Sequence, residues 1–199
     1  MTHWSFRHRV WELVLAYNTS IRFQGSPAFN KKGKMKKLIF IRHGRAEDPF
    51  PEISDFERSL TLKGKIISRL MARKFMEKEN SPGIIITSPA FRALETAFIF
   101  AGEFGIDTEN VILKSNLYYK MNLQNLPGIL SIISGEIESA TLFGHNPSFT
   151  QIANSLCKGG CDSIPKSGIV CISFNIRTWS EIARNNGKME YFLTPEKIL

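Results

Sequence analysis

The sequence has few of the side chains that build disulfide frameworks and structural metal sites. It contains three cysteines, Cys157, Cys161 and Cys171, and no two of them are spaced as Cys-x-x-Cys. An odd number without that spacing disfavours both a disulfide scaffold and a structural zinc site. Free, buried thiols in a reducing compartment account for all three, so we expect a cytoplasmic protein.

Long apolar runs and extended basic stripes are also missing. No apolar segment approaches the roughly 20 residues that a membrane-spanning helix needs. The net charge is +8, but residues 1–34 hold six basic residues against one glutamate, which leaves only +3 for the other 165 residues. No basic stripe interleaved with aromatic residues is present, so we expect neither a membrane nor a nucleic-acid partner. The modest positive charge is also what a protein that binds small anionic substrates would have.

Residues 1–34 differ from the rest of the chain. They show no sustained hydrophobic period and end in Lys31-Lys32-Gly33-Lys34. Three interpretations are open for this N-terminal extension: a targeting segment, a flexible and disordered arm, or a start site assigned too early. We expect one domain over residues 35–199, a length that forms its own core without disulfides or metal.

From Lys37 onwards, apolar runs alternate with amphipathic segments. This alternation predicts an α/β three-layer sandwich with a doubly wound, mostly parallel sheet and helices on both faces. Thr61 is the predicted cap of the first helix, and Ser88-Pro89 is predicted to open the second, with serine as cap. The predicted strands are 38–41, 84–87, 111–113, 141–143, 168–174 and 189–193, and the predicted helices are 61–79, 88 onwards, 123–134 and 147–156.

Two of the four histidines follow apolar strands directly. Leu38–Ile41 ends at Arg42-His43-Gly44, and Thr141–Phe143 ends at Gly144-His145-Asn146. The carboxyl ends of parallel strands are where open α/β sheets bind ligands. We therefore expect these residues, together with Arg92 beyond the second strand, to meet in one crevice.

Arginine and histidine in such a crevice favour a phosphoryl group. The guanidinium fork matches phosphate oxygens, and the N-termini of the helices that start near Pro89 and Pro147 also favour an anion. A neutral imidazole is a competent nucleophile towards phosphorus, and nearby arginines lower its pKa. Gly44 is expected to leave room for the approaching phosphoryl group.

Four segments resemble, in order, the motifs of the histidine phosphatase superfamily. They are Arg42-His43-Gly44, Arg58–Gly64, Ser88–Ala97 and Gly144–Pro147. The sequence is most similar to the small SixA-type phosphohistidine phosphatases of that superfamily. The resemblance implies a phosphoglycerate mutase-like fold, a phosphohistidine intermediate at His43, a phosphate pocket of Arg42, Arg92 and His145, and no metal or other cofactor.

The sequence departs from the larger members of that superfamily in lacking an evident general acid. Asn116–Lys120 contains no carboxylate, and Asn146 stands where acid phosphatases have an aspartate. An alkoxide leaving group needs a proton, whereas a protonated imidazole leaves as a neutral molecule. Glu47 and Asp48 are the nearby carboxylates that could substitute.

The sequence therefore predicts a metal-independent phosphatase, expected to be a monomer, that dephosphorylates protein phosphohistidine. Two alternatives stay open: a phosphatase of small phosphomonoesters, and a non-catalytic adaptor that binds a phosphorylated partner. The predicted catalytic residues are Arg42, His43, Arg92 and His145, and the predicted substrate-binding residues are Gly44, Arg58 and Asn146. Arg58 could equally be a solvated cation, Arg92 could pair with Glu95, and Tyr118-Tyr119 could line the site or pack in the core.

Overall fold

The computed structural model describes residues 34–119, 121–184 and 186–195, so the predictions for the N-terminal extension fall outside the described residues except at Lys34. The described chain forms a six-stranded sheet. The strands are β1 (Lys34–Arg42), β2 (Ile84–Thr87), β3 (Ile112–Leu113), β4 (Ser139–Gly144), β5 (Ile169–Ile176) and β6 (Lys188–Leu193).

The sheet is mixed and mostly parallel, as predicted. Its strand order is β3-β2-β4-β1-β5-β6, with parallel pairing from β3 through β1 and antiparallel pairing of β5 with both β1 and β6. The side chains of Leu38–Ile41 are fully buried. A central strand covered on both faces is expected to be apolar along its whole length, which is why the sequence predicted β1 well.

Helices cover both faces of the sheet. They are α1 (Leu62–Met76), α2 (Phe91–Glu103), α3 (Asn116–Tyr119), α4 (Leu126–Leu130) and α5 (Ser148–Leu156). Leu38 and Phe40 pack on one side with residues of α3, α4 and α5. Ile39 and Ile41 pack on the other side with residues of α1 and α2. The three-layer sandwich predicted from the sequence is thereby confirmed.

Helix boundaries differ from prediction at two places. Thr61 caps α1 as predicted, accepting a hydrogen bond from Gly64 N at 3.0 Å. Ser88 does not cap α2, because that helix begins at Phe91 and Ala90 is its N-terminal boundary. A helix was predicted over residues 123–134, but the structure has only the five-residue helix α4 in that range. Pro127 lies in the first turn of α4, and a proline there cannot continue a helix on its N-terminal side.

The cysteines follow the sequence prediction. Cys157, Cys161 and Cys171 are all free and buried. Burial raises the pKa of the Cys171 thiol to about 12, so this side chain behaves as a neutral core residue. Among the helices in the described ranges, none is long and apolar enough to cross a membrane.

Candidate active site

The ends of three adjacent strands bring the site together. Arg42 and Gly144 are register partners in the parallel β1–β4 pair, so the residues that follow them lie side by side. His43 N donates to Gly144 O at 3.0 Å. The ring centroids of His43 and His145 are 5.0 Å apart, which confirms that the two strand-end histidines meet.

His43 is held in one orientation by its own neighbour in the chain. Its Nδ1 lies 2.7 Å from the carbonyl oxygen of Gly44. A carbonyl oxygen can only accept a hydrogen bond, so Nδ1 carries the proton and Nε2 has a free lone pair. The ring is 9% exposed. Burial, followed by the charges of His145 and the two arginines, lowers the pKa of His43 to about 3, so the imidazole is neutral at physiological pH.

His145 is oriented by a residue from the neighbouring strand end. Its Nε2 lies 2.9 Å from Ser88 Oγ, and Ser88 directly follows β2. This contact is the role that the structure gives Ser88 in place of the predicted helix cap. Burial and the charge of Arg92 lower the pKa of His145 to about 3. Its Nδ1 is buried and has no hydrogen-bond partner within the part of the chain that the structure describes.

Arg42 extends from the end of β1 into the same region. Its Nη1 donates to Ile164 O at 2.9 Å, which fixes the guanidinium against the loop before β5. The Nε atom is buried and has no partner among residues 34–119, 121–184 and 186–195. Two buried polar atoms in this small region, Arg42 Nε and His145 Nδ1, are thus not used by the protein. An unpaired buried polar group costs about 1–3 kcal/mol unless something binds it.

Arg92 lies in the first turn of α2 and is 7% exposed. Its Nη2 donates to Asp55 Oδ2 at 2.8 Å, and its Nη1 donates to the backbone carbonyl of Asp55. The guanidinium carbon is 5.8 Å from the centroid of the Tyr118 ring. The alternative pairing with Glu95 is not formed, because Glu95 accepts from Leu60 N and pairs with Lys65.

Asp55 is a site residue that the sequence reasoning missed. Its carboxylate binds Arg92, Arg58 (Nη1 to Oδ1, 2.7 Å) and Tyr118 (OH to Oδ2, 3.0 Å). Glu47 and Asp48, the two carboxylates that could substitute for a general acid, do not make this contact, and both are exposed. The sequence signal that could have identified Asp55 is Arg58, which lies three residues after it. Its other arginine partner, Arg92, is 37 residues away in the sequence.

Arg58 lies at the rim of the site and is not a freely solvated cation. It binds the Asp55 carboxylate and donates from Nε to Glu47 O at 2.8 Å. Tyr118 also lines the site, with its ring 5.4 Å from that of His145, whereas Tyr119 is 70% exposed. Packing of the tyrosine pair in the core is thus wrong for both residues.

Gly44 and Asn146 have structural surroundings that the sequence did not predict. A Cβ at Gly44 would lie 2.5 Å from Ser68 Oγ and 3.1 Å from Gly64 O. A side chain at this position would therefore collide with α1, and the space that Gly44 leaves for a phosphoryl group stays a prediction. The Asn146 amide donates to Ser163 Oγ and Ile164 O and accepts from Thr150. These bonds hold the loop that also binds Arg42, and direct contact of Asn146 with a substrate stays a prediction.

Among the described residues, no group of three or more histidine, cysteine, aspartate or glutamate side chains could hold a metal ion. The positive charge of the site comes from Arg42, Arg58 and Arg92. The arrangement combines a neutral histidine with a free Nε2, a second histidine and guanidinium groups. Chemically, it can bind an oxyanion and present a nucleophile to it.

Solved structures share this architecture along nearly their whole length. A protein from Agrobacterium tumefaciens assigned as the phosphohistidine phosphatase SixA superposes with a TM-score of 0.65 at 21% identity, covering 80% of this chain and 98% of that one. A SixA structure complexed with tungstate gives 0.67 at 20% identity over 82% and 99%. The chain shares the phosphoglycerate mutase-like fold of these structures. The resemblance in the four sequence motifs predicted that fold.

The same fold also occurs in enzymes with small-molecule substrates. A mycobacterial glucosyl-3-phosphoglycerate phosphatase superposes with a TM-score of 0.60 at 12% identity, covering 79% of this chain and 98% of that one. No protein-family model matches the sequence. An uncharacterized protein of Picosynechococcus sp. is 38% identical over 65 residues, which is 33% of this chain and 39% of that protein. The chain thus matches about two fifths of the length of that curated relative.

Proposed function

We propose that this protein is a phosphatase that transfers the phosphoryl group of its substrate to Nε2 of His43, and that its substrate is phosphohistidine on a protein. One observation carries the proposal: the 2.7 Å hydrogen bond from His43 Nδ1 to Gly44 O. It leaves Nε2 unprotonated in a buried ring with a low pKa, which is what a nucleophile towards phosphorus requires.

The surrounding groups supply the positive potential that a phosphoryl group needs. Arg42 and Arg92 bring two guanidinium groups that stay charged, and Arg42 Nε has no partner among the described residues. Ser88 Oγ lies 3.3 Å from Ala90 N and accepts its hydrogen, so the serine hydroxyl hydrogen is available to His145 Nε2. That pairing puts a proton on Nδ1 of His145, the buried atom without a partner, and directs it at the anion.

The reaction takes place in two steps. In the first, the Nε2 lone pair of His43 attacks phosphorus in line, and the bond to the leaving nitrogen breaks with its electron pair going to that nitrogen. In the second, water attacks the phosphoryl group on His43 and releases inorganic phosphate. The proton on Nδ1, held by Gly44 O, lets His43 leave as a neutral imidazole without a separate acid. Guanidinium and imidazole groups stabilise the transferred oxygens, so the proposed chemistry uses no metal ion.

The ionised state of Asp55 favours phosphohistidine over alkyl phosphates. Burial raises its pKa, but hydrogen bonds from Arg58, Arg92 and Tyr118 lower the pKa to about 2. The carboxylate that binds Arg92 is therefore ionised and has no proton to give an alkoxide. A protonated imidazole leaves without one. The fold shared with SixA phosphohistidine phosphatases, one of them solved with tungstate, supports the same substrate class.

A small phosphomonoester is the second candidate substrate. The glucosyl-3-phosphoglycerate phosphatases with the same fold support it, one of them solved with inorganic phosphate. A non-catalytic adaptor would need only the anion-binding groups and has no use for a histidine with a free Nε2. The predicted cytoplasmic location, the monomeric state and the direct roles of Gly44, Arg58 and Asn146 stay predictions.

The deciding experiment compares turnover of a histidine-phosphorylated protein with turnover of a simple alkyl phosphate in metal-free buffer, with His43→Ala as the blank. We expect a strong preference for phosphohistidine. Equal or better turnover of the alkyl phosphate would assign the protein to small phosphomonoesters. Phosphate binding without turnover of either substrate would assign it to the adaptor class.

A further inference from the structure

The Asp55 carboxylate has room for one more hydrogen bond. An ionised carboxylate offers about four acceptor positions on its two oxygens. Arg92 and Tyr118 donate to Oδ2, and Arg58 donates to Oδ1, so one position on Oδ1 is left. The side chain is 54% exposed, so this position can be reached from solvent.

Asp55 is much more exposed than the proposed nucleophile, and the ring of a phosphohistidine on a protein must enter from solvent. In-line transfer puts the leaving atom opposite the nucleophile. His43 is 9% exposed, whereas the side chain of Asp55 is 54% exposed, so a leaving group that points away from His43 towards solvent can reach Asp55. Tyr118 links Asp55 to the buried histidines, because its OH binds Asp55 and its ring contacts the ring of His145.

We propose that Asp55 selects the leaving group by accepting a hydrogen bond from the imidazole ring of a substrate phosphohistidine. The inference rests on the proposed function and adds a substrate-contacting residue to it. The bond is made to the ring nitrogen that does not carry phosphorus. A fixed carboxylate at that nitrogen favours the protonated, cationic form of the ring.

With this hydrogen bond, the phosphoryl transfer needs no proton from a general acid. The ring nitrogen facing Asp55 carries a proton before attack, and the other nitrogen carries the phosphoryl group. His43 Nε2 forms a bond to phosphorus while the P–N bond breaks, and its electron pair returns to the leaving nitrogen. The product is a neutral imidazole that keeps its N–H bonded to Asp55. Asp55 remains a carboxylate throughout, which its two arginine partners ensure.

The leaving imidazole of the enzyme intermediate and that of the substrate are handled in the same way. In the enzyme intermediate, Gly44 O holds a proton on the non-phosphorylated nitrogen of His43. In the substrate, Asp55 does the same for the incoming ring. Both P–N bonds are thus broken at a protonated imidazole. An alkyl phosphate has no N–H to offer to Asp55.

The test is the pair of variants Asp55→Asn and Asp48→Asn in the full-length protein, assayed on a histidine-phosphorylated peptide and on p-nitrophenyl phosphate. Asp48 is an exposed aspartate on the same loop and serves as the matched control. The nitrophenolate leaves without a proton, so this ester reports the nucleophile and the phosphate-binding groups alone.

We expect Asp55→Asn to lower kcat/KM on the phosphopeptide by about 10- to 100-fold, the value of one hydrogen bond to a charged group. Turnover of p-nitrophenyl phosphate should change by less than about threefold, and Asp48→Asn should change neither. The fall in phosphopeptide turnover at high pH should begin about one pH unit lower in Asp55→Asn, because nothing then holds the ring proton. Asp55→Glu should restore part of the rate.

Equal losses on both substrates with an unshifted pH profile would overturn the inference, since Asp55 would then act only by positioning Arg92. No loss on either substrate would also overturn it. A native protein that hydrolyses p-nitrophenyl phosphate but not the phosphopeptide would overturn the proposed substrate along with the role of Asp55. A native protein that hydrolyses neither would refute the phosphatase itself.

Discussion

His43 Nδ1 and the carbonyl oxygen of Gly44 lie 2.7 Å apart, a contact between consecutive residues at the end of β1. The contact sets the tautomer of the imidazole before any ligand binds. The backbone at Gly44 is itself fixed, since Gly44 N donates to Thr96 Oγ1 at 3.0 Å. The orientation of the proposed nucleophile therefore depends on the backbone that follows β1 and on its hydrogen bond to Thr96 of α2, and not on a second ionisable side chain.

The proposed nucleophile can be tested by trapping. Replacing His43 by alanine should abolish turnover while the circular dichroism spectrum stays that of the native protein. Native enzyme quenched in base after mixing with radiolabelled phosphopeptide should retain a label that is stable to base and labile to acid.

His145→Ala is the matched control for that experiment. It removes an anion-binding group but keeps Nε2 of His43, so it should still become labelled, only more slowly. Retained activity in His43→Ala, or a label in that variant equal to the native one, would refute the mechanism.

Arg92 is expected to be needed for rate and not only for packing. Replacing it by alanine removes a buried guanidinium and should reduce turnover at least about 100-fold, the usual loss for a transition-state charge partner. Arg92→Lys keeps the charge but cannot bind a carboxylate or phosphate through two nitrogens, so it should recover little. Steady-state kinetics on p-nitrophenyl phosphate would measure both. A loss below about tenfold for alanine would place Arg92 outside the site.

The residues that meet at strand ends could be predicted from the sequence for a physical reason. A strand that is buried on both faces consists of a continuous run of apolar residues. The end of such a run marks the end of the strand, at Arg42 for β1 and at Gly144 for β4. Parallel pairing then requires the following residues, His43 and His145, to be neighbours. That prediction needed only the positions of the strands in the sequence and their parallel pairing.

Asp55 could not be predicted in the same way. It lies in a segment between β1 and α1 that has no hydrophobic period, and a 3-10 helix of three residues, Asp55–Glu57, positions it. Its pairing with Arg92 depends on how that segment folds back over α2. The surroundings of Asn146 were hidden for a related reason, because its partners Ser163 and Ile164 belong to an irregular loop.

The two buried histidines predict a loss of stability in acid. The pKa of each is lowered to about 3 in the folded protein, below the value of about 6.5 in an unfolded chain. Between these values the unfolded chain binds more protons, so the free energy of unfolding falls as pH decreases through that window. From about pH 7.5 to about pH 5.0, each histidine should cost about 2 kcal/mol, or about 4 kcal/mol together.

Urea unfolding of the native protein and of the double variant His43→Asn/His145→Asn at both pH values would measure this difference. Asparagine does not titrate, so the double variant should lose about 4 kcal/mol less on acidification than the native protein. An identical pH dependence in the two proteins would mean that neither histidine is held neutral by the fold.

Two helical glycines provide a matched test of how closely α1 approaches the site. A Cβ at Gly64 would lie 2.2 Å from the backbone oxygen of Arg45, two residues after His43, whereas a Cβ at Gly102 in α2 meets nothing within 4 Å. Gly64→Ala should therefore destabilise the protein by about 1–3 kcal/mol. Gly102→Ala should stabilise it by about 0.5–1 kcal/mol, since alanine is the better helix former.

Thermal or urea unfolding would measure both changes in stability. Turnover would show whether the clash at Gly64 also displaces the residues of the site. The Arg45 backbone cannot move without shifting the chain at Gly44, whose carbonyl orients His43. Gly64→Ala should therefore also lower kcat, while Gly102→Ala should leave kcat unchanged. Equal effects of the two substitutions on stability and on kcat would show that the contact between α1 and the loop after β1 does not hold the proposed nucleophile in place.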